Sequence, residues 1–271
     1  GNGNFTLSSP IPITRTSSIE AVATGDLNFD GKFDVVLGSP TEATNSITVH
    51  INSTTGSTIS FNAAINIASS NVNFIELADI NSDGKIDVIF KTTANDKIYV
   101  SLNTSTNSST VTFGSPTILI TAANQAFEIA DVDNDGDNDV LVASVSSRPK
   151  YFLNSSGAFP STASFTNSAG NSFAYYGGYN GNGTLVDLDG DGYVDFAGKT
   201  DKNSFSRNTT SGSTITFGNA TNVTCDGCGF RSSAAVDMDG DGDIDLIGGA
   251  PYSPPRMQIN RNTSVSGTIS F

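Results

Sequence analysis

The chain has 271 residues, with 13 Lys and Arg against 27 Asp and Glu, a net charge of −14. Nucleic acids and anionic membrane surfaces attract basic faces, so this balance excludes both as partners. No apolar run of about 18 residues exists for membrane insertion. The opening GNGNF carries no basic and apolar leader, and reads as a mature or excised segment whose leader lies elsewhere.

In chain order, residues 4–13 (NFTLSSPIPI) read as an isolated strand. The first acidic loop follows at 25–34, GDLNFDGKFD. Versions of it recur as ADINSDGKID (78–87), ADVDNDGDND (130–139), VDLDGDGYVD (186–195) and VDMDGDGDID (236–245). The five first aspartates, Asp26, Asp79, Asp131, Asp187 and Asp237, are separated by 53, 52, 56 and 50 residues. A period of that length signals a repeat architecture. The loops hold 20 of the 27 acids, so the acidity belongs to sites and is not the diffuse charge of a disordered tail.

Each period has the same order of parts. An apolar strand leads in, as in FIELA (74–78) and AFEIA (126–130). A second strand leaves the loop: VVLGS (35–39), VIFKT (88–92), VLVAS (140–144), FAGKT (196–200), LIGGA (246–250). A third ends in Asn followed by Ser or Thr, at Asn52, Asn103, Asn154, Asn208 and Asn262. These are also glycosylation sequons, but their place at the strand 3–4 turn makes turn chemistry the simpler cause. A fourth strand is expected around Phe61, Phe113, Phe165 and Phe217.

Four short strands per period without helical periodicity predict one four-stranded antiparallel sheet per repeat. Such a sheet cannot bury both faces alone. Radial stacking solves this and predicts an all-β fold, a β-propeller with five four-stranded blades in one domain, 1–271, with a solenoid of stacked sheets as the alternative. The repeats run roughly 14–68, 69–120, 121–172, 173–224 and 225–271, and strand 4–13 is expected to complete the last blade and hide its edge.

The loop pattern is D-x-[DN]-x-D-G-x-x-D. Oxygen ligands converge from positions 1, 3, 5 and 9, the backbone carbonyl of position 7 adds another, and Gly at position 6 permits the sharp turn. The candidate ligand sets are Asp26, Asn28, Asp30, Lys32 and Asp34; Asp79, Asn81, Asp83, Lys85 and Asp87; Asp131, Asp133, Asp135, Asp137 and Asp139; Asp187, Asp189, Asp191, Tyr193 and Asp195; Asp237, Asp239, Asp241, Asp243 and Asp245. Hard oxygen donors in this number suit Ca²⁺ better than Mg²⁺, which keeps its waters. About five Ca²⁺ are expected, reducing the net charge of −14 to −4. An EF-hand is excluded, because position 12 is Leu37, Phe90, Val142, Gly198 or Gly248 instead of Glu, and both flanks read as strands.

The five loops, the apolar triplets after each ninth position and the N-[ST]-[ST]…F tail of each period resemble the FG-GAP/VCBS repeat family, as in bacterial surface proteins and integrin α-subunit propellers. The likeness covers essentially the whole chain. It implies extracellular propellers with calcium in the strand 1–2 loops.

Cys225 and Cys228 in TCDGCGF form a C-x-x-C. A redox pair, half a zinc site, free structural thiols and a local disulfide are the alternatives; the disulfide is preferred, and it would imply an oxidising, extracellular compartment. Aromatic residues concentrate in the connections opposite the calcium loops, at Tyr175, Tyr176 and Tyr179 in 171–183 and at Tyr252 in GAPYSPPR. They are candidates for ligand contact, or for packing over the ring. A single histidine, His50, leaves no Ser/His/Asp or Cys/His constellation, so no enzyme is expected. The expected role is a calcium-stabilised adhesion or recognition module binding an unknown protein or glycan. The alternatives are a structural subunit self-associating through its terminal strands and a lectin-like propeller.

Overall fold

The computed structural model describes residues 12–13, 15, 17–56, 58–95, 97–121, 127–142, 150–154, 165–166, 184–199, 203–211, 215–219, 221–222, 232–250 and 256–271. Among these residues every regular element is a β-strand. Five antiparallel sheets follow one another along the chain, and none closes into a barrel. The first is β1 (Ala21–Gly25), β2 (Asp34–Gly38), β3 (Ile47–His50) and β4 (Ile65–Ile67). The second is β5 (Val72–Ala78), β6 (Asp87–Thr92), β7 (Lys97–Ser101) and β8 (Thr117–Thr121). The third is β9 (Phe127–Ala130), β10 (Asp139–Val142), β11 (Lys150–Asn154) and β12 (Phe165–Thr166). The fourth is β13 (Thr184–Val186), β14 (Asp195–Lys199), β15 (Asn203–Ser206) and β16 (Thr221–Asn222), and the fifth is β17 (Ser232–Val236), β18 (Asp245–Ala250) and β19 (Arg256–Asn260). Within each sheet, consecutive strands pair, so each repeat is an up-and-down meander.

The first strands pack in order, β1 on β5, β5 on β9, β9 on β13 and β13 on β17. Side chains from successive sheets meet in four apolar clusters. Val36, Val49 and Leu27 of the first repeat meet Val72, Ile75 and Phe90 of the second. Ile80, Ile89 and Ile98 meet Phe127, Val140 and Phe152. Leu141 and Tyr151 meet Phe196, and Leu188 and Phe205 meet Leu246. Central strands are therefore sandwiched on both sides. This is why, after their first aspartate, β6 and β10 read as unbroken apolar runs, VIF and VLV, and not as alternating patterns.

The fourth strands of the first, second and fourth sheets begin later than their phenylalanines, whereas β12 starts at Phe165 as expected. Phe61, Phe113 and Phe217 make single bridges to Asn52, Asn103 and Asn208, and the ladder resumes at β4, β8 and β16. Each Asn folds its side chain onto the following turn, which interrupts regular pairing there. The expected closing strand at 4–13 lies outside the described residues except for Pro12 and Ile13, which are not in a strand.

Candidate metal centre

Each acidic loop joins the first and second strands of its sheet, and all five share one curl. The position 1 carboxylate receives the backbone N–H groups ahead of it. Asp131 accepts from Asp135 at 3.1 Å and Gly136 at 2.8 Å, and Asp79 from Asp83 at 3.0 Å and Gly84 at 2.7 Å. The turn needs two left-handed residues. Position 6 is always Gly, with φ between 79° and 98°. Position 4 is Gly190 or Gly240 in two loops, but Phe29, Ser82 and Asn134 adopt φ of 58°, 56° and 62° in the others.

The position 9 aspartates, Asp34, Asp87, Asp139, Asp195 and Asp245, are almost wholly buried. One oxygen of each accepts the N–H of position 2, for example Val132 at 2.9 Å, and the other accepts the N–H of the asparagine ending the third strand, at 2.7 Å in every repeat. Burial pushes Asp87, Asp139 and Asp195 up to about 7 despite these donors, and raises Asp34 as well. A buried carboxylate that stays ionised at neutral pH needs a positive charge beside it.

Three loops bring a position 1, 3 and 9 triad together, with one oxygen from each within 4.8 Å of the others: Asp131, Asp133 and Asp139; Asp187, Asp189 and Asp195; Asp237, Asp239 and Asp245. In the first two repeats, position 3 is Asn28 or Asn81, whose amide oxygen accepts from the N–H of position 5. Oδ1 of Asp133 and of Asp189 is buried without any hydrogen-bond partner. Burial, then repulsion by Asp135 and Asp131, raises Asp133. Unpartnered, inward-facing oxygens on converging carboxylates are the donor set a hard cation requires.

Of the position 5 aspartates, Asp30, Asp135 and Asp241 are exposed, and Asp83 and Asp191 are partly covered. Asp30 and Asp83 pair with Lys32 and Lys85 two residues on, at 2.9 and 3.0 Å. The position 7 residues Lys32, Lys85, Asp137, Tyr193 and Asp243 donate their N–H to the position 5 carboxylate. Two contacts have no counterpart in the sequence reading. Arg207 bonds Asp189 at 2.5 Å and also Asp191, and Arg261 bonds Asp239 and, at 2.8 Å, Asp241. Both stand just before the third-strand asparagine, where Ile51, Leu102 and Leu153 stand in other repeats. The 131–139 loop has no such basic partner among the described residues.

The asparagines are the residues whose role the sequence least revealed. Asn103 donates to Ile86 O of its own loop at 3.1 Å and to Leu27 O of the preceding loop at 2.9 Å. Asn154, Asn208 and Asn262 do the same toward Ile80 O, Val132 O and Leu188 O. Their Oδ1 atoms receive the N–H two residues on where that turn is described, as at Thr210. Buried and using both amide hydrogens, these four side chains are unavailable for glycosylation in the folded state. Cys225, Cys228, Tyr175, Tyr176, Tyr179 and Tyr252 lie outside the described residues.

Consecutive antiparallel sheets with one acidic hairpin loop each define an all-β repeat protein. Models of the FG-GAP-like repeat match residues 79–142 and 131–198, and the FG-GAP repeat matches 19–51. These spans cover more than half of the chain, and it belongs to the FG-GAP repeat family. Such repeats imply a β-propeller-like fold. Among solved structures, the chain is similar to the V. cholerae biofilm matrix protein Bap1, at 14% identity and a TM-score of 0.43 over 93% of its length. It spans 39% of that chain, and a likeness at this level carries no argument. No curated protein matches it in sequence. No helix among the described residues is long and apolar enough to cross a membrane.

Proposed function

We propose that the chain is a calcium-stabilised propeller module of an extracellular or surface protein, serving adhesion or recognition and not catalysis. The observation that carries this is the repeated loop: carboxylates converge in three of the five loops, and in two of them a buried oxygen has no hydrogen-bond partner. Ca²⁺ is the ion these oxygen-only sets suit, one per loop, held by positions 1, 3, 5 and 9 and by the carbonyl of position 7. Each ion would tie the first strand of its sheet to the second, so metal binding adds to folding. A Cys225–Cys228 disulfide, proposed from the C-x-x-C spacing alone, would fit the same extracellular reading. Metal analysis of the dialysed protein is expected to return five Ca²⁺ per chain; two or fewer would sink the reading.

A glycan is the second reading for the ligand, and one cleft favours it. The strand 2–3 and 4–1 connections lie at the opposite strand ends from the acidic loops. There Asn45, Ser69, Ser70, Thr92, Asn95 and Tyr99 line a cleft between the first two sheets. Oγ1 of buried Thr92 lacks a partner, and Tyr99 stacks on Phe90 at 5.5 Å. Uncharged hydroxyl and amide groups beside an aromatic ring suit a neutral sugar. Glycan-array binding lost in Tyr99→Ala supports this reading, and an array blank at saturating calcium refutes it.

A further inference from the structure

At two junctions, position 3 of an acidic loop meets the strand 3–4 turn of the following sheet. Asn28, in the first loop, donates from Nδ2 to Ser108 O, 3.0 Å away in the second repeat. Asp189, in the fourth loop, accepts at Oδ2 the backbone N–H of Gly267, 3.0 Å away in the fifth repeat. The equivalent turns of the third and fourth sheets lie wholly or partly outside the described residues.

The two turns share one frame. Asn107 bridges Thr110 and Val265 bridges Thr268, so Ser108–Ser109 and Ser266–Gly267 are the central pairs. In both, the group that reaches the loop belongs to the peptide joining that pair. In the second repeat it is the carbonyl, and in the fifth it is the N–H. A type I turn has negative φ at its third residue and a type II turn has positive φ, and passing from one to the other rotates the central peptide by roughly half a turn. Neither Ser108 nor Ser109 is left-handed, whereas Gly267 has a φ of 88° after a serine that is not left-handed. The rotation replaces an acceptor with a donor. A Cβ at Gly267 would meet Arg207 Nη2 at 3.8 Å, an ordinary contact, so conformation and not space requires the glycine.

The partners match in polarity. An amide has hydrogens to give, and Asn28 is offered a carbonyl. An ionised carboxylate has none, and Asp189 is offered an N–H. The match also orients the ligand oxygen. With Nδ2 held by Ser108 O, Asn28 turns Oδ1 toward its own loop, where it accepts from the Asp30 N–H at 3.2 Å. With Oδ2 held by Gly267 and Arg207, Asp189 keeps Oδ1 buried and unpartnered. Both side chains are 5% exposed, so an acceptor facing an acceptor there would be costly.

We infer that the third residue of this turn is a specificity-determining residue for the loop of the preceding repeat. Glycine there presents an N–H and selects a carboxylate at position 3. A residue without left-handed freedom presents a carbonyl and selects an amide. The bearing of this match on calcium rests on the metal reading proposed above. On that reading, one ligand charge in a loop depends on one peptide of the next repeat, and the affinity of the site is set by two repeats together.

Two double-substitution cycles on the full chain test the match, by urea unfolding in EDTA and by calcium titration. Gly267→Ser is expected to lower stability, because serine disfavours the left-handed turn and the relaxed turn points a carbonyl at Asp189. In the Asp189→Asn background the same substitution is expected to cost about tenfold less in the unfolding equilibrium constant. In the first loop, Asn28→Asp faces Ser108 O and is expected to be costly alone. Alongside Ser109→Gly, which lets the peptide turn over, it is expected to cost about tenfold less and to tighten calcium at that loop. The cycles cancel the strain and charge effects that each substitution carries by itself. Coupling in EDTA in either cycle upholds the inference, and additive effects in both overturn it. Coupling in a protein that binds no calcium would uphold the match and sink the metal reading alone.

Discussion

Asn208 Nδ2 lies 2.9 Å from the carbonyl oxygen of Val132, a residue 76 positions earlier and one sheet away. The same amide holds Val194 O at 3.1 Å, and its backbone N–H holds Asp195 at 2.7 Å. One side chain therefore fastens its own loop, and also fastens that loop to the preceding sheet. Asn208→Ala leaves two buried carbonyls without donors, and we expect a loss of roughly 3 kcal/mol. Asn52→Ala removes one more exposed bond, and about 1 kcal/mol is expected. Urea unfolding at saturating calcium measures both, and equal losses would show that the inter-sheet bond contributes nothing.

Calcium removal should act on the whole stack. Each site adds about 2.7 kcal/mol when calcium stands at a hundredfold excess over its Kd. EDTA is therefore expected to lower the melting temperature strongly, and coincident melts with and without it would refute a structural role. The loops should also differ. Asp26/Asp30/Asp34 and Asp79/Asp83/Asp87 have three acids each, an Asn at position 3 and a lysine on position 5, so they should fill last. The 131–139 and 237–245 loops have five acids each, but Arg261 occupies two of those in the second, so the 131–139 loop should fill first. Stepwise titration reads the order.

Arg207 supplies a cation to Asp189 and Asp191 that calcium would otherwise supply. Removing it exposes those carboxylates to one another in the metal-free protein and frees them for the metal. Arg207→Leu, which matches the apolar residue at this place in other repeats, is expected to lower metal-free stability and tighten calcium at that loop, roughly 3- to 30-fold. Calorimetric titration of the variant checks it; an unchanged binding isotherm would mean that the arginine moves away without cost.

Much of this was legible in the chain because the repeat supplies five copies of each local signal. Aspartates at positions 1, 3, 5 and 9 with Gly at 6 specify a turn in which several carboxylates point inward, and no burial pattern is needed to read it. The strand order follows from apolar runs between turns. Three of the fourth strands were displaced because a phenylalanine marks the bridge to Asn, whereas regular pairing resumes at β-rich segments such as Thr117–Thr121. Phe29 at φ 58° had no local signal, since the conformation is imposed by the loop around it. Asn103 and its equivalents looked like turn residues because their second partner lies a whole repeat away.

Two glutamates outside the loops give a pH dependence with a definite sign. Burial pushes Glu76 up to about 7, and burial with repulsion by Glu76 pushes Glu128 up to about 8. They occupy the same register on β5 and β9, strands that pack together. Folded-state values above the unfolded ones mean that the folded protein holds more protons between about pH 4.5 and pH 8. The stability tied to these protons is fully present below the unfolded value and is lost as pH rises through 7 to 8. In EDTA, Asp87, Asp139 and Asp195 act in the same direction, because burial raises them too. The calcium-free protein is therefore expected to melt higher at pH 5 than at pH 8. Saturating calcium should hold the aspartates ionised and leave only the glutamate contribution. Glu76→Gln with Glu128→Gln keeps both side chains neutral at every pH, and should flatten the remaining slope while raising stability at pH 8. Melting curves for wild type and the double variant, each with and without EDTA, decide the matter: a slope unchanged by the substitutions would mean that the two carboxylates are hydrated in the folded state.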